Sequence, residues 1–282
     1  GRRQYTIYNN DLEAIFLERR AMIEELPKAI EDGNMEFFLQ PKVCLSTERI
    51  YGFEALARWR RDGVIVPPDM FIETAEESGL ITEIDRHISK SVCDTFARYN
   101  REHDTEFSVS VNFSALHFGS LSFVDFIARI LSDSGLAPNL LTIEITETVQ
   151  LGDLDKATTI INEIHALGAK IAIDDFGTGF SSLAYLRTTI ADEIKIDRSL
   201  VSDIETSSSS LFLLDSVIGI ANRLDFIVTV EGIETAQQGI FAREAGASSA
   251  QGYLYGRPLP KDAALSAARR HNASLDRNTT AA

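Results

Sequence analysis

Short β-branched and aromatic runs alternate with longer amphipathic stretches from residue 36 onwards. Apolar runs of four to eight residues predict buried strands, and apolar positions spaced three and four residues apart predict helices. The predicted strands are Glu36–Val43, Arg49–Ala57, Phe107–Phe113, Leu141–Thr146, Lys170–Asp174, Glu193–Asp197, Phe226–Val230 and Ser248–Tyr253. The predicted helices are Met70–Ser78, Thr82–Arg101, Ser122–Ser134, Asp153–Leu167, Ser181–Leu186, Ser210–Arg223, Thr235–Ala245 and Lys261–Arg270.

Strands that alternate with helices in this way predict an α/β protein built as a (β/α)8 barrel. Only Cys44–Glu48 separate the first two predicted strands, and a crossover between parallel strands needs a dozen or more residues. We therefore expect a modified TIM barrel whose first strand runs antiparallel to its neighbour. A doubly wound open sheet is the alternative that the pattern alone leaves open.

The N-terminal region has a different pattern. Gln4–Tyr8 alternates like a strand of a preceding domain, and Asp11 caps an amphipathic helix that runs to about Glu25. Pro27 fits best in the first turn of a new short helix that ends near Gly33. Residues 1–25 are thus expected to be an interdomain linker, or else a simple cap on the core.

The remaining boundaries follow from composition. We expect the barrel to span residues 26–270 and residues 271–282 to form a disordered tail. The polar run Ser207–Ser210 predicts a loop with a helix N-cap. Gly1 is not an initiator methionine, so we expect the chain to be a piece of a longer protein.

Composition narrows the classes of partner. The 282 residues are 44% hydrophobic, enough for a sizeable core, and the net charge of −15 argues against a nucleic-acid polymer as partner. Cys44 and Cys93 lack metal-ligand spacing and suit a reducing compartment. No apolar run is long enough to span a bilayer and no signal peptide precedes the core, so a cytoplasmic location without membrane contact is expected. The parent protein could still be anchored elsewhere.

Adjacent carboxylates end the fifth predicted strand. Asp174 and Asp175 follow the β-branched run Ile171–Ile173 and precede a loop that contains Gly177 and Gly179. Two neighbouring negative charges are costly unless a cation or a proton neutralises them. A solvated turn is the simpler interpretation of this stretch taken alone, because Asp and Gly are common in turns.

Polar groups follow the other predicted strands as well, and a barrel would bring them together at the carboxyl ends of its strands. Carboxylate and amide oxygens suit Mg²⁺ or Mn²⁺ rather than zinc, and two adjacent Asp can hold two ions with one carboxylate bridging. The strand-end groups are Glu54, Asn112, Glu144, Glu147, Asp174, Asp175, Lys195, Asp197, Glu231, Glu234 and Gln251.

Other chemistries find less support. The five histidines occupy none of these strand ends, no Ser-His-Asp set is evident, and the loop at Gly177–Gly179 lacks the Gly and Lys spacing of a P-loop. Lys195 among the carboxylates could orient a water molecule or balance charge. A purely stabilising ion pair is its alternative role.

At this point the motifs resemble those of EAL-domain cyclic-di-GMP phosphodiesterases, in one order from about Leu26 to Pro260. The matching segments are Glu54-Ala-Leu-Ala-Arg58, Val111-Asn-Phe-Ser114, Glu144-Ile-Thr-Glu147, Asp174-Asp-Phe-Gly-Thr-Gly179, Lys195-Ile-Asp197, Glu231-Gly-Ile-Glu234 and Gln251-Gly-Tyr253.

The resemblance implies a site with two Mg²⁺ or Mn²⁺ ions that hydrolyses cyclic di-GMP to linear pGpG. It assigns catalytic roles to Glu54, Asp175, Lys195 and Glu231, with Lys195 positioning the water. One ion would be held by Glu54, Asn112, Glu144 and Asp174, and the second by Asp174, Asp175 and Glu231. Substrate contacts are implied for Gln40, Leu56, Arg58, Asp197, Glu234 and Gln251.

The resemblance also bears on assembly. Glu147 is implied to anchor the loop from Phe176 to Ser182, which family members use near their dimer interface, so a homodimer is expected. Residues 1–8 resemble the last strand of a GGDEF domain, which implies a tandem parent protein. Glu73, Ile190 and Val230 depart from the usual family pattern without removing a ligand.

Two rival functions remain at this stage. The chain could be a receptor that binds the dinucleotide without hydrolysing it and signals through the N-terminal helix. It could also be a barrel retained only for dimerisation. The complete set of implied metal ligands favours the phosphodiesterase.

Overall fold

The structure is a computed structural model that describes residues 10–146, 154–177 and 190–280. The chain forms two compact units: Gly1–Glu36 with Ala57–Ile88, and Phe37–Leu56 with Ser89–Ala282. The strands are β1 Met35–Cys44, β2 Ile50–Arg61, β3 Val64–Val66, β4 Ser108–Asn112, β5 Leu141–Thr146, β6 Lys170–Phe176, β7 Glu193–Ile196, β8 Ile227–Val230, β9 Ser249–Ala250 and β10 Leu259–Pro260. The α-helices are α1 Asn10–Glu31, α2 Ile72–Ser78, α3 Ile81–His103, α4 Ser122–Ser134, α5 Leu154–Ala166, α6 Ser208–Arg223, α7 Ala236–Glu244 and α8 Lys261–Thr280.

The first unit contains α1, α2, and the hairpin formed by the end of β2 and β3. Helix α1 is continuous through Pro27, so the prediction of a separate helix beginning there was wrong. Met22, Leu26 and Ala29 are all buried and lie on one face, on both sides of the proline. Burial of this shared apolar face offsets the backbone hydrogen bond that proline cannot donate.

Polar contacts fasten α1 within this unit. Arg61 donates two hydrogen bonds to the carboxylate of Glu25, at 2.7 and 2.9 Å. Arg19 bridges to Glu73 and Glu77 of α2, each at 2.9 Å. A planar guanidinium held by both carboxylate oxygens is the geometry that gives specificity to such pairs.

The β2–β3 hairpin was not predicted. Asp62 and Gly63 connect its strands with φ angles of 50° and 78°. Two consecutive positive φ angles are typical of a type I′ turn, and an Asp-Gly pair between apolar runs is a strong hairpin signal. The sequence therefore contained the signal for this hairpin, and the prediction overlooked it.

The second unit contains the barrel. Strands β2, β4, β5, β6, β7, β8 and β9 pair in parallel, each with the next. Strand β1 pairs antiparallel with β9 and also pairs with β2, which closes the ring of eight. This confirms the predicted modified TIM barrel with an antiparallel first strand and excludes the open-sheet alternative.

The barrel strands are buried because helices cover their outer faces. Ile171, Ala172 and Ile173 of β6 are completely buried. Helix α4 turns four apolar side chains inward: Phe123, Ile127, Ile130 and Leu131. The core therefore lies between the strands and the helices, while the interior of the barrel is left for polar groups.

Of the two predicted helix caps, the one in Ser207–Ser210 is confirmed, whereas Asp11 lies inside α1, which begins at Asn10. Ser207 accepts a hydrogen bond from the backbone N–H of Ser210 and caps α6, which begins at Ser208. Thr235 and Gln238 form a reciprocal capping box at the start of α7. The predicted helix Ser181–Leu186 lies outside the described residues. None of the helices in the described part of the chain is long and apolar enough to cross a membrane.

The disordered tail predicted for residues 271–282 was wrong, because α8 extends to Thr280. Asn272 explains this extension: its side chain accepts from the N–H of Ile50 at 3.0 Å and donates to the Ile50 carbonyl at 2.8 Å. Arg49 forms an ion pair with Asp276 one turn further on. A polar composition suggested disorder, but these contacts satisfy the polar groups at the start of β2.

Candidate metal centre at the carboxyl ends of the barrel strands

Lys195 lies at the centre of a buried cluster of carboxylates contributed by different strands. Its ammonium is 2.7 Å from Glu144 Oε2, 2.8 Å from Glu231 Oε1 and 3.0 Å from Asp174 Oδ1. Glu54 Oε2 lies 3.5 Å away. The barrel thus brings together side chains that are far apart in sequence, as predicted from their positions at strand ends.

The carboxylates form two overlapping groups. Ligand oxygens of Glu54, Glu144 and Asp174 lie within 4.8 Å of one another, and so do those of Asp174, Asp175 and Glu231. Asp174 belongs to both groups. The amide of Asn112 joins the first group through a 2.8 Å hydrogen bond from Nδ2 to Glu54 Oε1. Two oxygen-rich groups that share one carboxylate suit a pair of hard divalent cations.

A local distortion of β6 places the two adjacent aspartates in the same cluster. Regular alternation in a strand would point their side chains to opposite faces. The pairing with β7 shifts register between Ile173 and Phe176, and Asp175 has a φ of 55°. The Asp175 N–H donates to Asp174 Oδ1 at 2.9 Å. The bulge turns Asp175 so that its carboxylate lies near that of Asp174, and such distortions are common beside functional sites.

Burial and crowding perturb the titration of these groups. Burial raises the pKa of Glu231 to about 8, against the opposing effect of Lys195 and with added repulsion from Asp174 and Glu54. Burial also raises the pKa of Glu144 well above its ordinary value, and it raises that of Asp175 together with the charge of Asp174. The cluster therefore holds more negative charge than Lys195 alone can balance.

An oxygen without a partner supports the same conclusion. Glu144 is completely buried, and its Oε1 has no hydrogen-bond partner in the described part of the chain. A buried carboxylate oxygen left in this state is costly unless a proton or a cation compensates it. The all-oxygen donor set fits a divalent metal ion, and this oxygen faces the Lys42 ammonium at 3.9 Å on the inner side of the cluster.

A chain of amides extends from the cluster. Gln251 Nε2 donates to Glu54 Oε2 at 2.6 Å and to Gln40 Oε1 at 3.0 Å. Gln40 in turn donates to the carbonyl of Gly256 at 3.3 Å. These contacts fix the plane of the Glu54 carboxylate and bring two of the predicted substrate ligands next to the candidate metal ligands.

The other predicted site residues are less tightly tied to the cluster. Asp197 caps a short 3-10 turn by accepting from the N–H of Ser199, and its charge also contributes to the raised pKa of Asp175. Leu56 lies two residues beyond Glu54, on the same face of β2. Glu234 donates its backbone N–H to Gln238 Oε1. Arg58 belongs to the first unit, where it donates to the Ala57 carbonyl. Glu147 lies outside the described residues.

Sequence reasoning missed a layer of polar side chains inside the barrel. Lys42, Glu193, Thr229 and Ser249 are all buried. Each lies two residues from a predicted site residue, so alternation alone puts it on the same, inward face; the predicted residues are Gln40, Lys195, Glu231 and Gln251. The spacing of two residues was therefore a usable signal for this second layer.

The fold and the cluster define a class: a closed barrel with an all-oxygen acidic site at the carboxyl ends of its strands. The family model described as "EAL domain" matches residues 23–258, so the chain belongs to the EAL domain family.

Relatives with established names cover nearly the whole chain. It is 35% identical over 261 residues to the cyclic di-GMP phosphodiesterase NbdA of Pseudomonas aeruginosa, covering 92% of this chain and 33% of that protein. It is 32% identical to the bifunctional diguanylate cyclase/cyclic di-GMP phosphodiesterase MucR of the same organism, covering 94% of this chain and 39% of that protein. The chain thus spans a third to two fifths of the length of these two relatives.

Solved structures show the same fold. The PaMucR phosphodiesterase in its c-di-GMP complex superposes with a TM-score of 0.80 at 32% identity, covering 86% of this chain and 98% of that one. The EAL enzyme Bd1971, in its form bound to cAMP and cyclic di-GMP, gives 0.83 at 30% identity, covering 92% and 70%.

Proposed function

We propose that this chain is a metal-dependent phosphodiesterase that hydrolyses cyclic di-GMP to linear pGpG. The observation that carries the proposal is the pair of overlapping carboxylate groups that share Asp174. Membership of the EAL domain family and the names of the relatives support the substrate.

The ligand sets follow the two groups. Glu54, Asn112, Glu144 and Asp174 would hold one Mg²⁺ or Mn²⁺ ion, and Asp174, Asp175 and Glu231 the other. When bound, two such ions neutralise charge on the phosphate and lower the pKa of a bound water. Asp174 would keep the ions close together, and the bulge at Asp175 would hold the second carboxylate in place.

The chain's own residues would orient the reactants. The Lys195 ammonium, within 3.0 Å of three carboxylates, would hold the nucleophilic water by a hydrogen bond. Gln251 and Gln40 would contact the substrate beside Glu54. The resemblance also implies substrate contacts for Leu56, Asp197 and Glu234 and, separately in the first unit, for Arg58. Glu147, by resemblance, would steady the loop that follows Phe176.

The direct test is incubation of the chain with cyclic di-GMP and Mg²⁺, with products separated by chromatography. We expect pGpG with Mg²⁺ or Mn²⁺ and no product in excess chelator. Ca²⁺, which accepts looser geometry, should bind and support little turnover. Glu54→Gln should abolish turnover, whereas Glu102→Gln, a matched change on the exposed surface of α3, should not.

Two outcomes would contradict the proposal. Full hydrolysis in excess chelator would exclude the metal-dependent mechanism. Tight binding of cyclic di-GMP without any hydrolysis would favour the receptor function instead. A homodimer is a separate proposal from the family resemblance, and sedimentation of the same preparation tests it.

A further inference from the structure

A second buried lysine lies beneath the candidate metal centre. Lys42 of β1 is 2% exposed, and its ammonium donates to Glu193 Oε1 at 2.7 Å and to Ser110 Oγ at 3.1 Å. Glu193 also accepts a hydrogen bond from Thr229. The ion pair therefore belongs to the polar layer one step further into the barrel than the carboxylate cluster.

Lys42 approaches the metal centre at Glu144. The Lys42 ammonium is 3.9 Å from Glu144 Oε1, the buried oxygen without a hydrogen-bond partner. The other oxygen, Oε2, faces Lys195 at 2.7 Å. The carboxylate of Glu144 thus lies between two ammonium groups, with one oxygen directed to each.

We propose that Lys42, held in place by Glu193, is a positioning residue for Glu144. Its charge keeps Oε1 directed into the barrel, so that Oε2 stays directed at the metal centre. Glu193 is needed because its stronger contact restrains the Lys42 ammonium and stops it from advancing onto Glu144. The inference rests on the proposed function, because it assigns Lys42 a part in metal binding.

The charge of Lys42 and its positioning role predict opposite changes in Mg²⁺ affinity when this residue is removed, and this makes the inference testable. Removing a positive charge near a cation site should by itself tighten binding of a divalent cation. Loss of a group that orients a metal ligand should weaken it, and supporting residues of metal ligands typically contribute ten- to a hundredfold in affinity. In Lys42→Met the sign of the change in affinity therefore separates the two roles. In the double variant the two charge effects offset each other, so charge alone predicts no change and the positioning role predicts weaker binding.

The test compares Lys42→Met, Glu193→Gln and the double variant, each prepared without metal. Lys42→Met alone leaves Glu193 buried without its partner, which destabilises a fold strongly, whereas removing both charges is much better tolerated. Isothermal calorimetry with Mg²⁺ gives the affinity, and a thermal melt gives the stability. Ile130→Ala in α4 is the control for destabilisation away from the barrel interior.

We expect the double variant to fold and to bind Mg²⁺ on the order of tenfold more weakly than the unmodified chain. Lys42→Met should also weaken binding, although loss of its positive charge by itself would tighten it, and this variant tests the inference if the double variant fails to fold. Glu193→Gln, which removes only the negative charge and keeps the shape of the side chain, measures the charge effect on its own. The Ile130→Ala control should melt earlier with unchanged affinity.

Unchanged or tighter Mg²⁺ binding in the double variant, or in Lys42→Met, would overturn the inference. Failure of the proposed function gives a different result, since the unmodified chain would then bind Mg²⁺ without hydrolysing cyclic di-GMP. An unmodified chain that binds no divalent cation would overturn both.

Discussion

Glu144 Oε2 accepts a hydrogen bond from Lys195 Nζ at 2.7 Å, and both side chains are almost completely buried. An unpaired charge in such a place would be strongly destabilising, so each residue depends on the other. Lys195 also contacts Asp174 and Glu231, and this single ammonium therefore keeps several carboxylates close together. The predictions that follow test this arrangement and the barrel that supports it.

Lys195→Ala should separate substrate binding from chemistry. The positioning of a nucleophile acts mainly on the transition state. In saturating Mg²⁺, whose charge compensates the carboxylates once the ammonium is lost, we therefore expect turnover to fall on the order of 10²–10⁴-fold, while affinity for cyclic di-GMP changes little. Rapid-quench turnover and equilibrium binding measure the two quantities. Lys90→Ala, on the exposed side of α3, is the control. Normal hydrolysis by Lys195→Ala would reduce this lysine to a structural ion-pair partner.

Metal affinity should depend on pH. Burial raises the pKa of Glu231 to about 8, so in the metal-free protein this carboxyl is protonated below that pH and must lose its proton to bind a cation. Apparent Mg²⁺ affinity should therefore rise by up to about tenfold per pH unit from pH 6 to about 8. Calorimetry in two buffers of different ionisation enthalpy counts the protons released. Affinity that is flat across this range would contradict the prediction.

The same carboxyl should affect the stability of the metal-free protein. The folded pKa of Glu231 lies above the ordinary value of 4.5, so between these values the native state binds more protons than the unfolded state. Its contribution to the free energy of unfolding is therefore present at low pH and lost as pH rises towards about 8. Thermal melts in chelator follow the loss, and saturating Mg²⁺ should reduce it. Glu231→Gln, which cannot ionise, should reduce the slope.

Gly52→Ala should destabilise the barrel. A methyl group at this position would lie 2.1 Å from Ser108 Oγ and 2.7 Å from the Ser108 carbonyl oxygen of the neighbouring strand. Because backbone atoms cannot move aside cheaply, we expect a loss of about 1–3 kcal/mol in the free energy of unfolding. Urea denaturation measures the change.

Gly219 in α6 provides the matched control for that change. An added methyl group there meets nothing within 4 Å, so Gly219→Ala should stabilise the helix by about 1 kcal/mol. Equal changes in the free energy of unfolding for the two substitutions would show that close packing against Ser108 does not cause the destabilisation by Gly52→Ala.

Asn272→Ala should destabilise the junction between α8 and β2. The substitution removes the hydrogen bonds to both the N–H and the carbonyl of Ile50, which should cost about 1–3 kcal/mol. Arg277→Ala, on the exposed surface of the same helix, should stay within about 0.5 kcal/mol of the unmodified chain. If the two variants have the same melting temperature, the hydrogen bonds of Asn272 do not stabilise the junction between α8 and β2.

The pattern of apolar positions was enough to predict the barrel. Strand β5 and helix α4 have the boundaries that were predicted, because each has its own clear periodicity and end signals. The short link between β1 and β2 was enough to predict the antiparallel first strand. Local spacing also predicted the strand-end carboxylates, since the residue type and its place at a strand end are both properties of a short segment.

Other features depend on contacts between residues that are far apart in the sequence, so no short segment could predict them. Pro27 stays within α1 because apolar burial continues on both sides of it, and α8 reaches Thr280 because Asn272 meets the backbone of Ile50. The bulge that turns Asp175 beside Asp174 depends on the register with β7.

The polar interior of the barrel shows which features the sequence determines by itself and which only the tertiary structure determines. Sequence alternation by itself determines that Lys42 shares a strand face with Gln40, and that Glu193 shares one with Lys195. Only the closed barrel decides that Lys42 pairs with Glu193, which is 151 residues away, and that its ammonium lies near Glu144. The physical reason is that periodicity fixes the direction of each side chain locally, whereas pairing across the barrel depends on ring closure and strand register.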